Sequence, residues 1–120
     1  MNEHLGILSA SPEKRYKNFI STVVDREAVW LLTSDDGYAT YENKGIIYLL
    51  VWPRKEFAIQ FQQAGDIPTA VDIHEFCDRC KELFDSTDVN FMVFPNKENS
   101  YVVDAKRIYL DILEELERVE

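Results

Sequence analysis

Apolar residues recur along this chain with two alternating periods, and the points where the period changes mark the elements. Residues 2–10 make a short helix weakened by Gly6. Ser11-Pro12-Glu13 then supplies an N-cap hydroxyl, a proline at the first helical position and a carboxylate in the first turn. Behind it Tyr16, Phe19, Ile20, Val23 and Val24 fall at helical spacing and form one stripe for the core. From Ala28 the pattern becomes that of a strand: "AVWLLT" runs into Asp36-Gly37, a hairpin signal, and "YATYE" returns. Asn43-Lys44-Gly45 reads as a second turn, so residues 28–52 predict a three-strand antiparallel meander. Its third strand, Ile46 to Trp52, is apolar on both faces and belongs in the interior of the sheet.

Proline explains how that strand ends. Pro53 cannot continue a ladder but suits the first turn of a helix, and "RKEFAIQFQQA" behind it runs to Gly65 as a helix stop. Thr69–Val71 predicts a short strand, and Asp72 with Glu75 a capping-box opening to a helix through Phe84. "VNFMVF" (89–94) is another buried strand, closed by Pro95; "YVV" (101–103) follows, and Asp104 caps a final helix. There Ile108, Ile112, Leu113, Leu116 and Val119 are expected to face inward, and Asp111, Glu114, Glu115, Glu117 and Glu120 to face water. Hairpins and helices without regular strand–helix–strand alternation argue for one α+β domain over residues 1–120. It has a mainly antiparallel sheet packed with four or five helices on one face.

Composition agrees with a packed core: of 120 residues, 46% are hydrophobic and 12% aromatic. The longest apolar run is seven residues, too short to span a bilayer, and residues 1–14 lack the pattern of a signal peptide, so a soluble cytoplasmic protein is expected. The net charge of −9 is uneven, with seven carboxylates against two bases over 66–90 and six against three over 104–120. Acidity of this kind disfavours nucleic acid and anionic membrane as direct partners; it first serves a solvated, soluble surface and leaves room for a basic protein partner. Nothing in the pattern specifies an oligomeric state.

Candidate chemistry is sparse. Cys77-Asp78-Arg79-Cys80 has redox spacing, but Cys77 lies more than a turn inside its helix, where the N-terminal dipole no longer favours thiolate. Both cysteines join the stripe of Ile73, Phe76, Leu83 and Phe84, so buried reduced thiols are expected. His74 lies off that stripe and His4 near the terminus, so neither a closed metal site nor a nucleophile–histidine pair assembles. Four scattered glycines make no phosphate loop. No catalytic residue, metal or cofactor is called for. Trp52, Arg54 and Phe94 remain: if the strands ending at Trp52-Pro53 and Phe94-Pro95 are neighbours, their tips share one rim of the sheet, where an anion or peptide could bind.

Four ordered blocks, "SPEKRYKNFISTVVDREAVWLL", "DDGYA", "VWPRKEFA" and "VFPNKENSYVV", resemble the bacterial domain of unknown function 2750 family over nearly the whole chain. The family's pattern of a Ser-Pro-Glu helix start, a tryptophan strand, an Asp-Gly hairpin and two aromatic-proline strand ends is met at Ser11-Pro12-Glu13, Trp30, Asp36-Gly37, Trp52-Pro53 and Phe94-Pro95. Arg54-Lys55 departs from the histidine-proline-like continuation expected there, so no histidine role carries over. The resemblance implies a small bacterial cytosolic protein with no assigned catalytic residue. Two function classes follow. One is an acidic, non-enzymatic interaction module, immunity-like or regulatory, that binds through its helices, with Glu114 and Glu117 among the contacts. The other is a small-molecule binder or enzyme with a pocket near Trp52, Arg54 and Phe94.

Overall fold

The computed structural model describes residues 3–119, with side chains from residue 6 onward. The expected side chains of His4 and Glu120 and the backbone of Asn2 lie outside it. Helix α1 covers Glu3–Leu8 and α2 covers Pro12–Arg26. As expected, the Ser11 hydroxyl accepts from Lys14 N (3.3 Å), and Tyr16, Phe19, Ile20, Val23 and Val24 are buried. Strands β1 (Ala28–Ser34), β2 (Gly37–Tyr38), β3 (Thr40–Asn43) and β4 (Ile46–Val51) follow, then α3 (Lys55–Ile59), β5 (Ile67–Asp72), α4 (Ile73–Glu82), β6 (Val89–Val93), β7 (Tyr101–Asp104) and α5 (Ala105–Val119). The class is α+β, with mostly antiparallel strands and five helices among the described residues.

The expected meander is divided. β1 pairs with β2 and β5 in a three-stranded sheet of order β2-β1-β5, whereas β3 and β4 belong to a four-stranded sheet of order β3-β4-β6-β7. The stretch 37–43 changes partner at Ala39: its N–H bonds Leu32 O at 2.8 Å, and from Thr40 onward the pairing is with β4. β1 and β4 thus stand apart beside Ala39. They meet again at one antiparallel bridge, Trp30 to Trp52, closed by two 2.9 Å bonds. The hairpin loop is Asp35-Asp36, one residue earlier than expected, with Gly37 (φ +107°) opening β2. The Lys44-Gly45 turn has positive φ at both residues, which fits a two-residue hairpin.

β4 is interior, as its two apolar faces require. It pairs in parallel with β6, Val51 opposite Val93, and Phe94 N reaches Val51 O at 2.8 Å. The echo of Trp52-Pro53 in Phe94-Pro95 therefore marks two parallel neighbours stopping at one rim, with both aromatic rings fully buried. Behind that rim the helix is shorter than expected. α3 has five residues, Arg54 is its N-cap and Pro53 precedes the cap instead of opening the helix. Its continuation has no apolar stripe, so Phe61 and Gln62 close three-residue turns (3.0 Å each), and Gly65 (φ +91°) serves a later turn in which Asp66 N bonds Gln63 O.

α4 starts where expected. Asp72 Oδ2 accepts from His74 N (2.9 Å) and Glu75 N (3.3 Å), and the helix ends at Glu82, two residues early, leaving Phe84 exposed. α5 is capped by Asp104 Oδ1 on Arg107 N (2.8 Å). Its inner stripe holds for Ile108 and Ile112, which are buried, and in part for Leu113 and Leu116, but Val119 is 56% exposed because the helix overruns the core there. Asp111 and Glu115, expected outside, are half-buried. Asp111 accepts from Tyr16 Oη and Arg107 Nε, and Glu115 pairs with Arg118 at 2.6 Å. On the helix face of the larger sheet Phe76 packs edge-on against Phe91 with centroids 5.4 Å apart. In urea melts Ile112→Ala should lower stability by about 2–4 kcal/mol. Glu114→Ala and Val119→Ala should each cost less than about 0.5 kcal/mol, and equal losses across the three would mean that the helix is rotated.

Candidate functional site

One polar side chain organises the rim where β4 and β6 end. Arg15, on the first turns of α2, is 1% exposed and sits at the spacing of the apolar stripe, four residues before Phe19. Its Nε donates to Phe94 O (2.9 Å), Nη1 to Ala10 O (2.6 Å), and Nη2 to both Asn99 O (3.0 Å) and Asn99 Oδ1 (2.5 Å). The guanidinium is thus met by neutral oxygens. Burial lowers its affinity for a proton below the ordinary arginine value, with Glu13 and Glu98 pulling the other way. Phe94 carries φ +48°, a left-handed conformation rare for an aromatic residue, and its carbonyl points at the guanidinium.

The loop that follows is built on two asparagines. Asn96 Oδ1 accepts from Glu98 N and Asn99 N (2.8 Å each), and its Nδ2 donates to Leu8 O (2.8 Å). Trp52 Nε1 donates to Pro95 O at 3.3 Å. The carbonyls of residues 94, 95 and 99 all find side-chain donors from elsewhere in the chain, so the loop is fixed against α1, α2 and β4. Arg15, Asn96 and Asn99 escaped the sequence reading. Their signals were a cation at core spacing on α2 and two asparagines three apart behind a buried strand.

This loop forms one wall of a cleft of about 730 Å³. The opposite wall is the stretch Ala39–Tyr41, where it crosses from β1 to β4. Leu32, Leu50, Met92 and Phe61 supply an apolar floor above Trp52, which Phe61 covers at a centroid distance of 5.4 Å. Gln63, Asp66, Asn96, Lys97, Glu98 and Asn99 supply a polar rim. A cleft of this size, with an apolar floor and a few amides and charges around it, has the form of a ligand site.

The chain belongs to the family described as protein of unknown function (DUF2750), whose sequence model matches residues 16–112. No curated protein matches the chain. The stretch matched to the family holds the whole cleft, the hairpin and both aromatic-proline strand ends, and it begins just after Arg15.

The expected site residues are not all brought together. Trp52 lies beneath the cleft. Phe94 is buried against Phe57 (4.7 Å between centroids) and contributes its carbonyl to Arg15. Arg54 stands apart from both, in a hollow with Ser21, Asp25, Glu115 and Arg118 between the C-terminal ends of α2 and α5. Glu114 edges a groove between α2 and α5 that also holds Tyr16, Lys17, Tyr101 and Arg107, and Glu117 is exposed on the helix. In that groove the Tyr16 hydroxyl bonds Asp111 and its ring stacks on Tyr101 (4.5 Å). Burial and the carboxylate push its pKa well above the ordinary tyrosine value.

The cysteines lie where the apolar stripe put them, both buried and free, with Cys80 fully enclosed. Burial raises both thiols, Cys80 to about 12. Among the described residues no cluster of three or more His, Cys, Asp and Glu side chains could hold a metal ion. No helix among the described residues is long and apolar enough to cross a membrane.

Three measurements test this account. Arg15→Met and Arg15→Ala should each destabilise by about 3–5 kcal/mol, since several buried acceptors lose their donors, with Arg15→Lys in between; a native-like Arg15→Met melt would show those bonds to be net neutral. For the thiols, native protein at pH 8 should resist labelling that denatured protein undergoes at both sites. Because the folded Cys80 thiol holds its proton to about 12 against an ordinary value of 9.0, its contribution is complete below pH 9 and is lost as pH rises through 12. Stability should therefore fall between those limits by at most about 1.4 kcal/mol per pH unit, and Cys80→Ala should flatten that slope.

Proposed function

We propose that this protein is a non-enzymatic interaction module that receives a protein partner on the uncovered face of its four-stranded sheet. The observation that carries the reading is an apolar patch made of two staggered rows on that face. Tyr41 stands opposite Tyr48 in a row that continues into Asn90 and Asp104, and two residues further along β4 Leu50 stands opposite Met92 and Met92 opposite Val102, on the face turned away from Phe91 and the helices. Tyr41 is 50% and Val102 47% exposed, and the patch leads into the cleft above Trp52. Contiguous exposed apolar surface of this kind, rimmed by polar groups, marks interaction sites. Asp66 and Glu98 outnumber Lys97 at the charged end of the cleft, which favours a partner segment with an apolar anchor and a basic flank.

This shifts the docking surface away from the acidic helices. On α4 Glu75 faces Arg79 and Asp78 faces Lys81 (3.9 Å each), and on α5 Asp111 pairs with Arg107 and Glu115 with Arg118. Much of the helices' negative charge is therefore answered within the same helix. Acting by covering a surface of its partner, such a module is of the immunity-like or regulatory kind. A second reading, a small-molecule binder, rests on the volume and lining of the cleft alone.

Affinity capture from source cells, followed by titration of the captured polypeptide, tests the choice. Tyr48→Asp and Val102→Asp should keep the native melt and weaken binding by at least about tenfold, as loss of an anchor does. The double variant Glu114→Lys, Glu117→Lys should bind as the native chain does. The reverse pattern would return the docking surface to α5, and a small molecule in place of a polypeptide would select the second reading.

A further inference from the structure

The gap between β1 and β4 has a second side. Because side chains alternate along a strand, Leu32, Ala39 and Leu50 face the cleft while their neighbours Leu31, Tyr38 and Leu49 face the opposite way. There, beneath α4, they line a partly open cavity of about 210 Å³ with Val71, Phe91 and Phe76. Its inner wall is aliphatic and aromatic. The polar groups, Tyr38, Arg79 and Glu82, come from the β2 hairpin and the outer part of α4, and Leu83 adds a half-buried apolar edge.

We infer that this cavity is a binding site for a small uncharged apolar molecule, one aromatic ring or a branched chain of similar bulk. Size is the first argument. An apolar cavity of about 150 Å³ stays dry and takes up benzene, so the present one suits a single substituted ring and excludes large amphiphiles. Charge is the second. The chain places one cation and one anion here, Arg79 and Glu82, both exposed, so neither sign of ligand gains on balance. A charged group carried inward would leave water with no buried partner to meet it. The Tyr38 hydroxyl can serve a single polar substituent. The site shares its wall with the cleft, since the same three backbone segments separate the two hollows. It is nevertheless independent of the protein-partner reading, because its probe binds the isolated chain.

Methyl-resolved NMR of the whole protein, with toluene as probe and benzoate as the charged control, decides the matter. Toluene should shift the methyl signals of Leu31, Leu49, Val71 and Leu83 saturably, leaving those of Ile20 and Val23 on α2 in place, and benzoate at equal concentration should shift none. Val71→Phe, which fills the space, should weaken the toluene response by at least about tenfold while keeping the native melt. Leu83→Phe fills the same space from the helix side and serves if Val71→Phe does not fold. Absence of a saturable toluene shift, an undiminished response in the filled variant, or equal binding of benzoate would each overturn the assignment. Loss of partner capture in the preceding experiment would leave this result untouched.

Discussion

A buried guanidinium holds the cleft end of this molecule together. Arg15 reaches three stretches far apart in sequence, the α1–α2 junction at Ala10, the end of β6 at Phe94 and the loop at Asn99. A cation removed from water is expensive unless its donors are used, and four hydrogen bonds to oxygens answer that cost. Once they are made, Phe94 is held in its left-handed conformation. The chain turns at Pro95 so that its carbonyl meets Trp52, and the asparagine-built loop stands as a fixed wall. The rim that resembles a pair of repeated motifs is thereby a single assembly with one organising charge.

The second constraint is the crossing of residues 37–43 between two sheets. A strand that kept β1 as its only partner would leave β4 uncovered at one edge. By changing partner at Ala39 it serves both, at the cost of an unpaired interval between β1 and β4 that the Trp30–Trp52 bridge closes at its far end. That interval borders both the cleft and the apolar cavity. Pleating sends alternate leucines to either side, so a change in the spacing of β1 and β4 reaches the cleft and the apolar cavity together. On the open sheet face next to the cleft Tyr41 meets the Tyr48 ring at 6.0 Å between centroids, yet half of Tyr41 and nearly half of Val102 stay exposed.

Titratable groups in the interior serve packing and connection. The two thiols are held protonated by their surroundings, and Tyr16 holds its hydroxyl proton between rings and a carboxylate. None of these is poised near neutral pH, as a general acid or base or a reactive thiolate requires. The family to which the chain belongs is described as of unknown function.

The sequence by itself determined what local chemistry decides. Ser11, Asp72 and Asp104 cap the helices they announce, because a side-chain oxygen two or three residues from free amides needs nothing distant. The stripe on α2, the interior place of β4, the turn at Lys44-Gly45 and the buried cysteines follow from periodicity and backbone preference in the same way. Tertiary structure decided the rest. Periodicity cannot say which of two strands a stretch will pair with, so the division of the meander at Ala39 was hidden. It equally hid the parallel alignment that sets Trp52-Pro53 beside Phe94-Pro95. Nor does periodicity supply the partners that let Arg15 be buried, because its acceptors lie up to 84 residues away. Arg54, two residues beyond Trp52 in sequence, caps α3 and lies away from the cleft, in the hollow by the C-terminal ends of α2 and α5. Caps and turns are settled within a few residues of chain, whereas a cleft is settled by which distant segments share hydrogen bonds, and only the folded chain brings those together.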